Sequence, residues 1–151
     1  MDQRTRSEHP LTSEESTVRR RVLVIDDHPT NRLVMQTILG ELGCEVGLAC
    51  DGIEGVAAAA LAPFDIVVMD RNMPRRDGDE ATRLIRALPS ASSDAFIVLW
   101  TTDPSDLPIA GRYDDTLAKP VSFPAVVAML LRAAAHGLSH PSVGALTAKI
   151  A

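Results

Sequence analysis

Aromatic side chains are scarce in this 151-residue chain: one Trp, one Tyr and three Phe, or 3% of residues. Its core must therefore be aliphatic, filled by Val, Leu, Ile and Ala. Cysteine is nearly missing as well. Cys44 and Cys50 fit no zinc-site spacing and have no Cys/His partner set nearby, so two reduced thiols packed near one strand are expected. No apolar run approaches the length of a transmembrane helix, and no membrane association is expected. The opening stretch MDQRTRSEHPLTSEESTVRR lacks the apolar segment of a signal peptide, which points to a cytoplasmic protein. Excess positive charge is absent too. A net charge of −5 argues against nonspecific nucleic-acid binding. Lysine is rare: Lys119 and Lys149 are the only two, and the other basic residues are arginine.

What is present reads as one domain with tails. Apolar residues make up 46% and charged residues 23%, ordinary for a globular chain. Residues 1–19 mix both charges with Ser, Thr and Pro and predict a flexible arm. Residues 20–137 carry the pattern of a domain, and 138–151 form a weakly patterned tail. RVLVIDD (21–27), FDIVVMD (64–70) and AFIVLWTT (95–102) are continuous apolar runs, as suits strands covered on both faces. EVGLAC (45–50) and DTLAKP (115–120) predict two more strands. Helical stretches lie between them and after the last: 29–43, 52–62, 78–88 and 122–137. The first places Leu33, Val34, Ile38 and Leu42 at helical spacing, with Pro29 in its first turn and Gly43 past its end. The third has Ala81, Leu84, Ile85 and Leu88 on one face. Ser122 suits the N-cap of the last and Gly137 its stop.

Strands alternating with helices imply right-handed βαβ units and an open parallel sheet. Ligands in such sheets bind outside the carboxyl ends of the strands. Those ends carry Asp26 and Asp27, Asp70, Thr101 and Thr102, and Lys119. Three carboxylates in one pocket repel unless a cation sits among them, and oxygen ligands without His or Cys favour Mg²⁺. One carboxylate can then attack a phosphoryl group, with Lys119 and the cation neutralising its oxygens. Each feature alone has a plainer explanation. Asp27 can cap the first helix, Asp70 can be a loop acid, and the threonines can be ordinary strand formers. Their joint placement is what points to chemistry. Replacing the acid pair is expected to abolish metal binding while relieving repulsion in the metal-free fold.

Four motifs in this order, VLVIDDHPTNR, DIVVMDRNMPRRDGDEATRLIR, IVLWTTD and LAKP, resemble the CheY-like receiver domain of two-component response regulators. The resemblance runs from Arg21 to about Gly137 and is nearest to receivers of hybrid kinases and phosphorelays. It implies an α/β fold: a five-stranded parallel sheet in a flavodoxin-like, doubly wound (βα)5 arrangement. By resemblance, Asp70 is the phosphoacceptor, and Asp26, Asp27, Asp70 and the Asn72 backbone carbonyl hold Mg²⁺. Thr101 is the switch hydroxyl, Lys119 binds phosphate, and Pro120 follows a cis peptide bond. Pro74 and Gly78 fit the turn after the third strand. Asn72 and Asp103 match positions that tune phosphoryl lifetime, and both are able to orient an attacking water, so a short lifetime is expected. The implied donor is a histidine kinase or histidine phosphotransfer protein. It is expected to dock around His28, Pro29, Asn31, Leu33, Val34 and Met35.

The chain departs from the family pattern twice. Thr116 stands where the family usually has an aromatic, and Tyr113 stands one turn too early to replace it. Pro104 and Pro108 interrupt the segment between the fourth and fifth strands, so the fourth helix is expected to be short or irregular. No output domain follows residue 137, which suggests a stand-alone receiver signalling by protein contact. An alternative is a receiver segment of a hybrid kinase. A Mg²⁺-dependent aspartate-based phosphatase needs a second acid where Asn72 stands. A nucleotide-sensing module would draw on the rim arginines Arg71, Arg75 and Arg76.

Overall fold

Parallel strands and helices alternate through residues 19–73, 77–103 and 112–136, which the computed structural model describes. The strands are β1 (Arg21–Ile25), β2 (Glu45–Ala49), β3 (Ile66–Asp70), β4 (Phe96–Thr101) and β5 (Asp115–Ala118). They form one sheet in the order β2-β1-β3-β4-β5, every pair parallel. The helices are α1 (Pro29–Glu41), α2 (Gly52–Leu61), α3 (Gly78–Arg86) and α4 (Phe123–Ala135). This is the flavodoxin-like, doubly wound sheet expected from the sequence. A 3₁₀ turn at Ala91–Asp94, unforeseen in the sequence, leads into β4. The expected helix between β4 and β5, with Pro104 and Pro108, falls largely on residues 104–111, outside the described residues. So do Pro74, Arg75, Arg76, the C-terminal tail and all of the N-terminal arm except Arg19.

The double winding follows from strand alternation. Val22, Val24, Val68, Val98 and Trp100 face α1 and α4, where they meet Met35, Leu39, Val126, Met129 and Leu130. Leu23, Ile25, Val67, Met69, Ile97 and Leu99 face the opposite way, against Ala59, Ala81 and Ile85 of α2 and α3. Because both faces are covered, β3 and β4 are buried at every residue. Each such large side chain contributes roughly 1.5–3 kcal/mol relative to exposure.

Short-range chemistry sets the helix ends. Asp51, Asp77 and Ser122 cap α2, α3 and α4 by accepting the backbone N–H of Glu54, Glu80 and Ala125. At α1 the cap position is His28 rather than Asp27, and its side chain makes no capping bond. Gly43 ends that helix with φ at 83°, a left-handed value that suits glycine. The buried side of α1 differs from the expected one. Leu33 and Val34 are 61% and 40% exposed, whereas Met35 is fully buried and Leu39 and Leu42 pack with it. Both sets have helical spacing, and only the tilt of the helix on the sheet chooses between them. Met35 is therefore removed from the expected docking surface.

Candidate functional site: a lysine between two aspartates at the sheet edge

The chain runs from β1 outward to β2 and then back across to β3, so the winding reverses between β1 and β3. Side chains at the carboxyl ends of those two strands face the resulting crevice. Asp26 and Asp27 follow β1, and Asp70 ends β3. The register sets Asp70 beside Trp100 and Thr101 beside Ala118, which brings Lys119 up to the same edge. Five of the six polar residues singled out in the sequence, all but Thr102, are thus gathered at one place by ordinary parallel pairing.

Asp26 is fully buried and held at every polar atom. Its Oδ2 accepts from Lys119 Nζ at 2.7 Å, and its Oδ1 accepts from the His28 backbone N–H at 2.8 Å. Asn31 Nδ2 lies 3.3 and 3.5 Å from the same two oxygens. The Asp26 N–H donates to Ala49 O, and its carbonyl accepts from Arg32 at 2.7 Å. The sequence places Asn31 only on a docking surface and gives no sign of the Arg32 bond.

Lys119 Nζ also lies 3.3 Å from Asp70 Oδ1, so one ammonium serves both strands. It sits 4.8 Å from the ring centre of Trp100, a cation–π contact within the buried layer. The Lys119 N–H donates to Thr101 O, and the Lys119–Pro120 peptide bond is cis. Thr101 is buried, and its Oγ1 accepts the Asp103 N–H at 3.2 Å. In the same manner the Asn72 N–H approaches Asp70 Oδ1 at 3.4 Å. Asn72 and Asp103 are both exposed at the mouth of the crevice.

Electrostatics separates the carboxylates. Burial pushes the Asp70 carboxyl up to about 6, against the lowering pull of Lys119 and with added push from Asp26. Burial also acts upward on Asp27, but hydrogen bonds from Asp70 and His28 outweigh it and leave Asp27 below the usual carboxylate range. His28 Nδ1 is 3.0 Å from Asp27 Oδ1. Asp27 and Asp70 thus act on one another's titration, and a divalent cation among these carboxylates would supply the counter-charge they lack. With Asp26 behind them, the donor set is hard oxygen and fits Mg²⁺.

Thr116 is half-buried in β5, and Tyr113 lies elsewhere: buried on the α2–α3 side, its hydroxyl donating to Asp79. Burial first, then the Asp79 hydrogen bond, raises the phenol well above its ordinary range. Gly78 opens α3 directly against β3. A Cβ there would run into the Asp70 carbonyl oxygen and come within 2.9 Å of Arg71 Cα. The two cysteines flank β2 as thiols, Cys44 half-buried and Cys50 exposed.

The switch point of this doubly wound sheet thus holds three aspartates, a lysine and a threonine. Residues 22–131 match the response regulator receiver domain, and the chain belongs to that signalling family. Among curated proteins it is 33% identical to the sensor protein GacS of Pseudomonas syringae over 129 residues. That match takes in 81% of this chain and 14% of the relative. It is 38% identical to the sensor protein EvgS of Escherichia coli over 81 residues, 54% of this chain and 6% of that one. The chain thus spans only a small part of these sensor proteins. Among solved structures, the Vibrio cholerae chemotaxis protein CheY4 superposes with a TM-score of 0.69 at 30% identity, covering 76% of this chain and 98% of that one. The receiver domain of the Pseudomonas aeruginosa sensor histidine kinase PA1611, described with magnesium coordinated in its active-site cleft, gives 0.67 at 30% identity, covering 76% and 96%. Among the described residues, no helix is long and apolar enough to cross a membrane.

Proposed function

We propose that the chain accepts a phosphoryl group on Asp70 from a histidine kinase or histidine phosphotransfer protein. It then signals from the cytoplasm by protein contact. The observation that carries this reading is Lys119, held 2.7 Å from Asp26 and 3.3 Å from Asp70 at the sheet's switch point. An Asp70 carboxylate oxygen attacks the phosphorus of a phosphohistidine. The new P–O bond forms as the P–N bond breaks, and the imidazole leaves with the electron pair. Lys119 is placed to move its ammonium onto the transferred oxygens, and the Thr101 hydroxyl to donate to one of them. Asp26 and Asp27, directly or through water, together with Asp70 and the Asn72 carbonyl, would hold Mg²⁺. When bound, the ion supplies positive charge to the phosphoryl oxygens.

The donor docks on the outer side of α1. Pro29, Leu33 and Val34 are exposed there beside the crevice, and His28 stands at its lip. Asn72 and Asp103 are placed at the crevice mouth where a hydrolytic water must enter, which favours a short-lived phosphoryl group. The sensor-kinase relatives favour a second reading of context, a receiver segment of a hybrid kinase, with the same chemistry.

The test is phosphotransfer from a panel of histidine-phosphorylated kinases and phosphotransfer proteins, with Asp70→Ala as control. Label on the wild type alone supports the reading. No label in Mg²⁺, or equal label on Asp70→Ala, rejects it. Turnover of small phosphoesters would instead support the phosphatase class.

A further inference from the structure

The sole tyrosine lies outside the acidic crevice yet is joined to it through packed elements. Tyr113 is buried on the α2–α3 face, and its hydroxyl donates to Asp79 Oδ1 at 2.7 Å. The other Asp79 oxygen lies 3.6 Å from Arg71 and 3.8 Å from Arg112. One carboxylate in the first turn of α3 thus gathers the residue after Asp70 and the two residues that lead toward β5. The last turn of α3 fastens the same segment again. Arg86 donates to Asp114 at 2.7 Å and to Ala95 O at 2.6 Å, and Asp114 accepts the Ile97 N–H at 2.8 Å.

Both routes from this segment lead back to Asp70. Along the chain, β5 delivers Lys119 to the Asp70 carboxylate. Across α3, the Gly78 N–H donates to Arg71 O at 2.8 Å, and no room remains between Gly78 and the Asp70 carbonyl. Asp70, Arg71, Gly78, Asp79, Tyr113, β5 and Lys119 form a closed circuit.

Building on the receiver reading, we propose that Asp79 and Tyr113 are the coupling element that carries a change at Asp70 to α3 and the approach to β5. A phosphoryl group brings a charge of about −1.5 to −2 next to Lys119. That charge draws the ammonium away from Asp26 and with it the end of β5. The added bulk also presses the end of β3 on Gly78, where there is no slack. Close-packed elements respond to such pushes as units. The first turn of α3 and residues 112–114 move together because the Asp79 carboxylate joins them. The surface presented to a downstream protein is then α3 with this segment.

The full chain carries its own reporters: Trp100 beside Lys119 for occupancy of the site, and Tyr113 for the coupling. Replacing tyrosine by 3-fluorotyrosine gives a single fluorine resonance, recorded with and without beryllofluoride, a phosphoryl mimic, in Mg²⁺. The mimic is expected to change Trp100 emission and to shift the fluorine resonance in the wild type. In Asp79→Ala the emission change persists and the fluorine shift is lost. Asp79→Asn, which keeps an acceptor for the hydroxyl but not the charge on Arg71 and Arg112, gives an intermediate shift. A fluorine shift of equal size in wild type and Asp79→Ala overturns the coupling. So does an unmoved resonance while Trp100 responds. If Trp100 does not respond and phosphotransfer also fails, the receiver reading falls and the coupling with it.

Discussion

Asp26 is fully buried and takes hydrogen bonds from Lys119, the His28 N–H and the Asn31 side chain, whereas Asp27 is only partly covered and holds His28. The two acids are neighbours with different tasks. The relief of repulsion expected for replacing the pair does not extend to Asp26, because removing it takes one of two carboxylates from Lys119 and the acceptor from two other donors. In chelator, Asp26→Ala is expected to lose about 3 kcal/mol, the low end for breaking a buried ion pair since Asp70 remains as partner. Asp27→Asn is expected to be neutral or slightly destabilising, because the fold favours the Asp27 anion. Urea denaturation of the two variants checks this. Asp70 adds a pH dependence. Its folded pKa of about 6 lies above the ordinary 3.8, so the folded state binds the extra proton. Its contribution is full below pH 3.8 and is lost as pH rises through about 6. Melting temperature without metal should therefore fall between roughly pH 4 and 6.5, and Asp70→Asn should flatten that fall. An identical slope in both proteins would contradict the assignment.

At the scale of elements, Gly78 and the outer side of α1 carry the sharpest expectations. Gly78→Ala forces a methyl against backbone rather than against a flexible side chain, so α3 or the end of β3 must move. A loss of roughly 1–3 kcal/mol is expected, together with slower phosphorylation of Asp70; melts and transfer rates read the two effects. Leu33→Asp should do the reverse. Leu33 is solvent-facing, so stability should stay within about 0.5 kcal/mol while transfer from the donor drops at least tenfold. A tenfold-slower variant that also melts early would instead point to misfolding. The two helices also show what sequence patterns can and cannot reveal. The extent of α1 followed from its periodicity, Pro29 and Gly43. Its buried side did not, because Leu33 and Val34 satisfy the same spacing as Met35 and Leu39. The helix expected between β4 and β5 rested on residues 104–111, outside the described residues.

Across the whole molecule, the parallel sheet was legible because β1, β3 and β4 are covered on both faces and read as unbroken apolar runs. The crevice was legible because each run ends abruptly in an acid or hydroxyl, and the order of strands brings those ends together. Less visible were contacts made across the chain by residues without a local pattern. Asn31 and Arg32 on Asp26, Trp100 under Lys119, and Asp79 on Tyr113 depend on tertiary placement that no spacing encodes. The account as a whole stands on Asp70 as the phosphoryl acceptor. After incubation with a histidine-phosphorylated donor in Mg²⁺, borohydride reduction of the aspartyl phosphate and peptide mass mapping will locate the modified residue. The expected result is modification at Asp70 alone, abolished by chelation and by Lys119→Ala. Modification at another residue, or at Asp70 in full yield without divalent metal, would contradict it.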